Sequence, residues 1–147
     1  MGMLLLSVSL GAFLAGLLAA WLVKLFLFTP IAVLGQEIVL RHAENPGIAF
    51  GLRIPSPWQE ILILLALLLV FRIAIRSTTV LSRIAYGLII GGALANIADR
   101  IVDGFVTDYI AVGSFPIFNI PDSCITIGVF LLLVESTGIV SYIRRKS

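Results

Sequence analysis

The sequence predicts an all-α membrane protein of four transmembrane helices, with a small extracytoplasmic β-containing loop region between helices 1 and 2. Three observations carry this expectation. Apolar residues make up 60% of the 147 positions and charged residues 12%, whereas a soluble domain is about half apolar and about a quarter charged. The mean hydropathy is +1.14, and a globule this small has too much surface for its volume to hide that excess. The apolar residues also gather into four long runs, each close to the roughly 20 residues a helix needs to cross a bilayer. An ordinary soluble enzyme, a disordered tail and a disulfide scaffold are thereby excluded.

The first run covers about 3–28 and is interrupted only by Lys24, whose ammonium is expected to snorkel toward a headgroup. It lacks a basic leading segment and is longer than the apolar stretch of a cleavable signal, so it reads as a retained span. The others cover about 58–75, 80–98 and 124–143. Each is apolar all round, as a lipid-facing helix must be. Lys and Arg set the orientation. Arg72, Arg76 and Arg83 flank the link between the second and third spans, and Arg144, Arg145 and Lys146 follow the fourth. The longer links hold only Arg41, Arg53 and Arg100. This asymmetry places both termini in the cytoplasm and the loops at about 29–57 and 99–123 outside. Short apolar alternations around Ile38 to Leu40 and Ile48 to Leu52 predict a few strands in the first of these loops. The whole chain, 1–147, reads as one integral membrane domain.

The formal net charge of +2 is mild, and no basic stripe with interleaved aromatics points to nucleic acid. The single cysteine, Cys124, cannot close an internal disulfide, and the single histidine, His42, is far from it in sequence. No metal and no cofactor are expected. His42 reads as an interfacial loop residue and Cys124 as a packing residue.

The polar residues gather at one edge. Asn96, Asp99 and Arg100 close span three, Asp103 and Asp108 follow, and Asn119 and Asp122 open span four. Ionisable groups at membrane depth are costly, so their presence asks for a function. Two carboxylates held close share one proton, which makes one a base and the other an acid. Such a pair can activate water against an amide and protonate the leaving nitrogen. Helix capping and pairing with Arg100 is the alternative account of the same acids. Asn96, Asp99 and Arg100 share a helix face at i, i+3 and i+4, where Arg100 could hold a carboxylate bidentately. Asp103 reads as a solvated loop charge. Glu135 lies too far along span four to join the others and reads as a helix–helix or inner-interface contact.

Three blocks carry a resemblance to a known family. The first is Asn45-Pro46-Gly47-Ile48-Ala49-Phe50-Gly51. The second is Gly91-Gly92-Ala93-Leu94-Ala95-Asn96-Ile97-Ala98-Asp99-Arg100, followed by Gly104-Phe105-Val106-Thr107-Asp108-Tyr109. The third is Phe115-Pro116-Ile117-Phe118-Asn119-Ile120-Pro121-Asp122-Ser123. In order and spacing they resemble lipoprotein signal peptidase, or signal peptidase II, the bacterial membrane aspartyl protease family. The resemblance implies a catalytic dyad of Asp108 and Asp122. It implies supporting or substrate-binding roles for Asn45, Gly47, Phe50, Asn96, Asp99, Arg100 and Asn119. The implied substrate is a prolipoprotein carrying diacylglycerol on a cysteine, cut just before that cysteine. The implied setting is the bacterial inner membrane, with membrane lipids as the surroundings, a monomer and an active site near the outer face.

Physical reasoning adds a division of labour. Asp122 falls in the first turn of a helix, where free N–H groups favour a carboxylate, so it should be the more readily ionised member and Asp108 the more readily protonated. The chain departs from the family pattern at four places. Ala20 stands where an Asp is usual before the span-one lysine, Ala95 where a Gly precedes Asn96, Pro46 for a Thr and Pro121 for an Ala. Two rival readings differ in class: a small ion or proton transporter subunit, and a non-catalytic relative that binds lipoprotein precursors.

Overall fold

The computed structural model describes residues 2–47 and 58–138. In chain order the elements are α1 (Gly2–Phe26), β1 (Ile31–Leu34), β2 (Ile38–Asn45), α2 (Trp58–Ala74), α3 (Val80–Asp103), β3 (Val106–Val112) and α4 (Ile120–Ser136). Helices α1 and α3 are long and apolar enough to cross a membrane. Helices α2 and α4 have 17 residues each.

Small residues decide how the helices meet. The buried side of α1 is Leu5, Ala12, Gly16 and Ala20, while Leu6, Leu10, Leu14 and Leu18 stay exposed. Helix α3 offers glycines to both neighbours. A Cβ at Gly87 would lie 2.8 Å from Val8, one at Gly91 would collide with the Ser9 carbonyl oxygen, and one at Gly92 would lie 2.6 Å from the Pro121 carbonyl oxygen. The backbones therefore approach as closely as they can, which is how helices associate where no hydrophobic drive exists between them. Helix α2 is held less: Gln59 and Ala74 are its buried residues, and it packs mainly on α3.

Three helix boundaries differ clearly from those the sequence predicts: the end of α3 and both ends of α4. Helix α3 does not end near Ala98 but runs to Asp103 and stops at Gly104, which is left-handed at φ 89 and donates its N–H to the Arg100 carbonyl. The polar residues of this last turn find partners, so nothing ends the helix earlier. Helix α4 starts at Ile120 rather than near Cys124. Asn119 and Asp122 form a capping box there, and Pro121 occupies the first turn, where a missing N–H costs nothing. Thr137 caps its other end. The helix thus stops at Ser136, short of the expected Ile143, with Gly138 left-handed at φ 71 just beyond the cap; residues 139–143 lie outside the described ones.

The three strands form one antiparallel sheet in the order β1-β2-β3. A tight turn through Gly35, at φ 54, joins β1 to β2. The expected loop region between helices 1 and 2 is thus joined by a third strand from the link between α3 and α4. Sequence reasoning missed β3 because Val106 to Tyr109 are all buried, which erases the apolar–polar alternation. The expected strand around Ile48 to Leu52 lies outside the described residues. Beyond β3, a turn at Gly113, φ 49, sends the chain back so that Phe118 bridges to Ile110. That return sets the start of α4 beside β3.

At the opposite end of α4, the Thr79 and Ser82 hydroxyls both donate to Glu135, tying α4 to the start of α3. Trp21 and Trp58 are exposed.

The packing makes a paired prediction. Gly91→Leu should lower stability by about 1–3 kcal/mol through overpacking against Ser9. Gly11→Ala, where a Cβ would meet nothing within 4 Å, should be neutral or stabilising by up to about 1 kcal/mol. Thermal unfolding in detergent measures both.

Candidate active site

Each site residue owes its place to a local rule. Asp108 sits on β3 diagonally across from Asn45 on β2, since the register pairs Asn45 with Val106 and Ala43 with Asp108. Residues two apart on a strand share a face, so the Asn45 amide reaches Asp108 and donates to its Oδ2 at 2.9 Å. Asn45 is itself fixed, because its Oδ1 accepts the Gly47 N–H at 2.9 Å. Asp122 is held by its helix. Its Oδ2 accepts the Asn119 N–H at 3.3 Å, and its own N–H donates to Asn119 Oδ1 at 2.8 Å.

Asn119 joins the two carboxyls. It is 1% exposed. Its Nδ2 donates to Asp108 Oδ1 at 2.9 Å and also faces Asn96 Oδ1 at 3.1 Å and the Thr107 carbonyl at 3.3 Å. Asn96 completes the circuit by donating to Asp122 Oδ1 at 2.8 Å. Asp108 and Asp122 are therefore linked through two amides, with every amide orientation dictated by its other partner.

Burial pushes the Asp108 carboxyl up to about 6; the hydrogen bond from Asn45 opposes this, the charge of Asp122 adds to it, and Asn119 and Arg100 oppose it. Tyr109, next along β3, has its phenol raised by burial, and its Oη accepts the Ile120 N–H at 3.1 Å. That bond satisfies one of the free N–H groups at the start of α4.

Asn96, Asp99 and Arg100 do share one end of α3, but they reach three different partners. Asn96 serves Asp122. Asp99, 7% exposed, accepts from Lys24 Nζ at 2.8 Å and from the Thr107 N–H at 2.6 Å. Arg100 does not clasp a carboxylate bidentately; its Nη2 donates to the Gly47 carbonyl at 2.6 Å. Four carboxyls, from Glu60, Asp108, Asp99 and Asp122, surround its charge. That makes a two-pronged grip on any one of them unnecessary for neutrality.

Two further expectations are corrected here. Lys24 does not snorkel away to a headgroup, and Asp103 is not a solvated loop charge. Lys24 bonds Asp103 Oδ2 at 2.7 Å as well as Asp99, because Asp99 and Asp103 are one turn apart on α3 and face the same ammonium. Gly47 lies within the site. Phe50 lies outside the described residues.

A cavity of about 720 Å³ adjoins this network, lined on its polar side by Asn45, Asn96, Arg100 and Asp122 and on its apolar side by residues including Ile63 and Ile127. It lies between α2, α3 and α4. Sequence reasoning missed Lys24, Glu60, Thr107 and Tyr109 as site neighbours. The lone charges in apolar runs were the available signal for the first two. Thr107 acts through its backbone, which no side-chain pattern reveals.

Two departures from the family pattern meet at one point. A Cβ at Gly16 would lie 2.7 Å from Pro121 Cγ and 2.8 Å from Ala95 Cβ, so the added bulk of both is accommodated by a single glycine of α1. Ala20 is buried on α1, and the second acid that meets Lys24 comes from α3 instead.

Comparison with known proteins agrees with this arrangement. Residues 8–138 match the family model described as signal peptidase (SPase) II. A lipoprotein signal peptidase from Caldicellulosiruptor bescii is 33% identical over 129 residues, covering 84% of this chain and 85% of the relative. Another, from Streptomyces griseus, is 37% identical over 143 residues, covering 90% of this chain and 72% of the relative. A solved structure of a bacterial membrane enzyme superposes with a TM-score of 0.84 at 24% identity, covering 97% of this chain and 92% of the other. A second superposes with a TM-score of 0.80 at 25% identity over 92% of each chain. The extent of the family match, over a chain that carries the buried Asp–Asn network at the meeting of β3 and α4, shows that this membrane protein belongs to the signal peptidase II family of peptidases.

Proposed function

We propose that the protein is an aspartyl endopeptidase that removes signal peptides from lipoprotein precursors, with Asp108 and Asp122 as its catalytic pair. The observation that carries this reading is the Asn119 amide, which ties an aspartate on a strand to one on a helix inside a single hydrogen-bonded circuit. A purely capping role would not require Asp108 to be 3% exposed and set against the charge of a second carboxyl.

In this mechanism the free carboxylate is Asp122, supported by the amide of Asn96 and by the start of α4. It takes a proton from a water molecule as the water oxygen bonds to the scissile carbonyl carbon. Asp108 carries the other proton and gives it to the leaving nitrogen as the C–N bond breaks. Proton exchange with solvent then restores the pair. Asn45 and Asn119 hold the Asp108 carboxyl in place throughout, and Arg100 offsets negative charge beside it. No metal or cofactor is needed for these steps.

The substrate class follows from the setting. Ile63 of α2 and Ile127 of α4 both line the cavity, and α2 buries little of itself; in this reading a signal-peptide helix enters sideways from the bilayer between them while lipid chains stay in the membrane. The bond cut would be the one just before a cysteine carrying diacylglycerol. All four helices then span the inner membrane, both termini lie in the cytoplasm, the sheet and the site face outward, and the enzyme acts as a monomer forming one integral domain. In this reading Phe50 of the first outer loop packs over the scissile segment, and Gly47 lets the backbone approach closely, as it does toward Arg100. Acids spread along several spans would favour an ion pathway. Here they cluster at one end, and Glu135 is engaged by two hydroxyls.

Asp108→Asn and Asp122→Asn should each lower cleavage of a diacylglyceryl-modified precursor by at least about a thousandfold; full activity in either would remove the proposed chemistry. The pH dependence is also specified. Asp108 must hold its proton, and it releases that proton as pH rises through about 6, so kcat/KM should decline above that value. Acid should also reduce it, by protonating Asp122. These limbs belong to the pair as a unit. The limb in kcat should lie higher than that in kcat/KM, because bound substrate excludes water and favours the neutral acid. A rate profile without a falling alkaline limb would contradict the assignment.

A further inference from the structure

Lys24 is the one basic residue of α1, and it is committed to two acids of α3. Asp99 and Asp103 accept from it at 2.8 and 2.7 Å. The two arms differ in environment. The Asp103 side chain is 43% exposed, and the Asp99 side chain is 9% exposed. Exposed pairs are worth little, whereas a charge left buried without its partner is costly. The Asp99 arm is therefore the strong one, and Asp103 keeps the ammonium at the end of α3.

The buried acid does not stop at Lys24. Its second oxygen accepts the Thr107 N–H at 2.6 Å, and Thr107 immediately precedes Asp108. The Thr107 carbonyl in turn accepts from Asn119. Thr107 is 2% exposed. A backbone N–H so deeply placed must keep its acceptor or lose substantial free energy. The chain of contacts runs from α1 to the strand residue beside the proposed acid: Lys24 ammonium, Asp99 carboxylate, Thr107 backbone, Asp108.

From this geometry we infer that Lys24 is a positioning residue for catalysis, fixing the Asp108-bearing strand through Asp99, with Asp103 as its second anchor. The inference rests on the reading of Asp108 as a member of the catalytic pair. Lys24 touches neither that pair nor the cavity beside it. Its removal should therefore impair the chemical step and leave precursor binding intact. Neutralising it removes the ammonium that fixes one oxygen of Asp99, loosens the carboxyl that holds Thr107 and lets Asp108 stray from the line of attack. Small misplacements of a reacting group carry large rate penalties.

The test uses the full chain in detergent, with Lys24→Met and Lys24→Arg compared against the parent. Two readouts are taken: kcat and KM on a diacylglyceryl-modified precursor, and hydrogen–deuterium exchange at the Thr107 amide. Lys24→Met should lower kcat about tenfold or more with KM within about twofold, and should speed exchange at Thr107 more than in α3. Lys24→Arg should restore most of kcat and the slow exchange. If Lys24→Met does not fold, Lys24→Gln carries the same expectations. Parent-like kcat and exchange in the neutral variants would overturn the inference. So would a loss of activity seen equally in KM, or one that Lys24→Arg fails to repair. The exchange readout does not depend on activity: a parent enzyme that cleaves nothing would refute the proposed function, while accelerated exchange at Thr107 would still establish the contact chain.

Discussion

One side chain amide organises this end of the molecule. Asn119 closes the first turn of α4 by accepting a backbone N–H, and the same side chain donates into the buried space between strand and helix. Capping and site geometry are therefore a single constraint. Without an acceptor at that position the helix would fray, and without its donor the carboxyl on β3 would lose one of its two amide partners. The fold-back of the chain after Gly113, sealed by the pairing of Phe118 with Ile110, brings this amide to its place. A site built this way inherits the rigidity of a helix terminus and a strand, rather than that of a free loop.

The electrostatic setting is balanced and local. A deeply covered carboxyl stands next to a second one, and a guanidinium lies among four acids without gripping any of them in the described structure. Binding Arg100 through the Gly47 carbonyl has a physical advantage. It holds a positive charge near both carboxyls without stripping either of its freedom to take or release a proton. A tight ion pair would have fixed one acid as permanently charged. The arrangement instead leaves both carboxyls free of a permanent ion pair, as the proposed acid–base role requires.

Much of this was legible in the residues. The apolar runs gave the helices their approximate places, and the Asn and Asp residues of the three blocks pointed to the groups that meet. Boundaries were less legible. The end of α3 depends on partners for Asp99, Arg100 and Asp103 that lie far away in sequence. The early start of α4 is encoded in Asn119 and Asp122, whose capping box is the same pair of side chains that serves the site. Strand β3 was hidden because both of its faces are covered. The reach of Lys24 could not be read from α1 alone, since its acids sit on another helix. Side-chain identity showed which polar groups needed company; only the packing of α1 on α3 decided which company each would keep.

That packing has a consequence for the first helix. Gly16, Ala95 and Pro121 occupy one point of contact among three helices, with no space for another methyl group. Gly16 cannot take a side chain unless a neighbour gives way. With Pro121 and Ala95 both in place, any side chain at position 16 would press on the two of them at once. Because Pro121 is the residue just before Asp122, crowding at this junction bears directly on the turn that carries an acid.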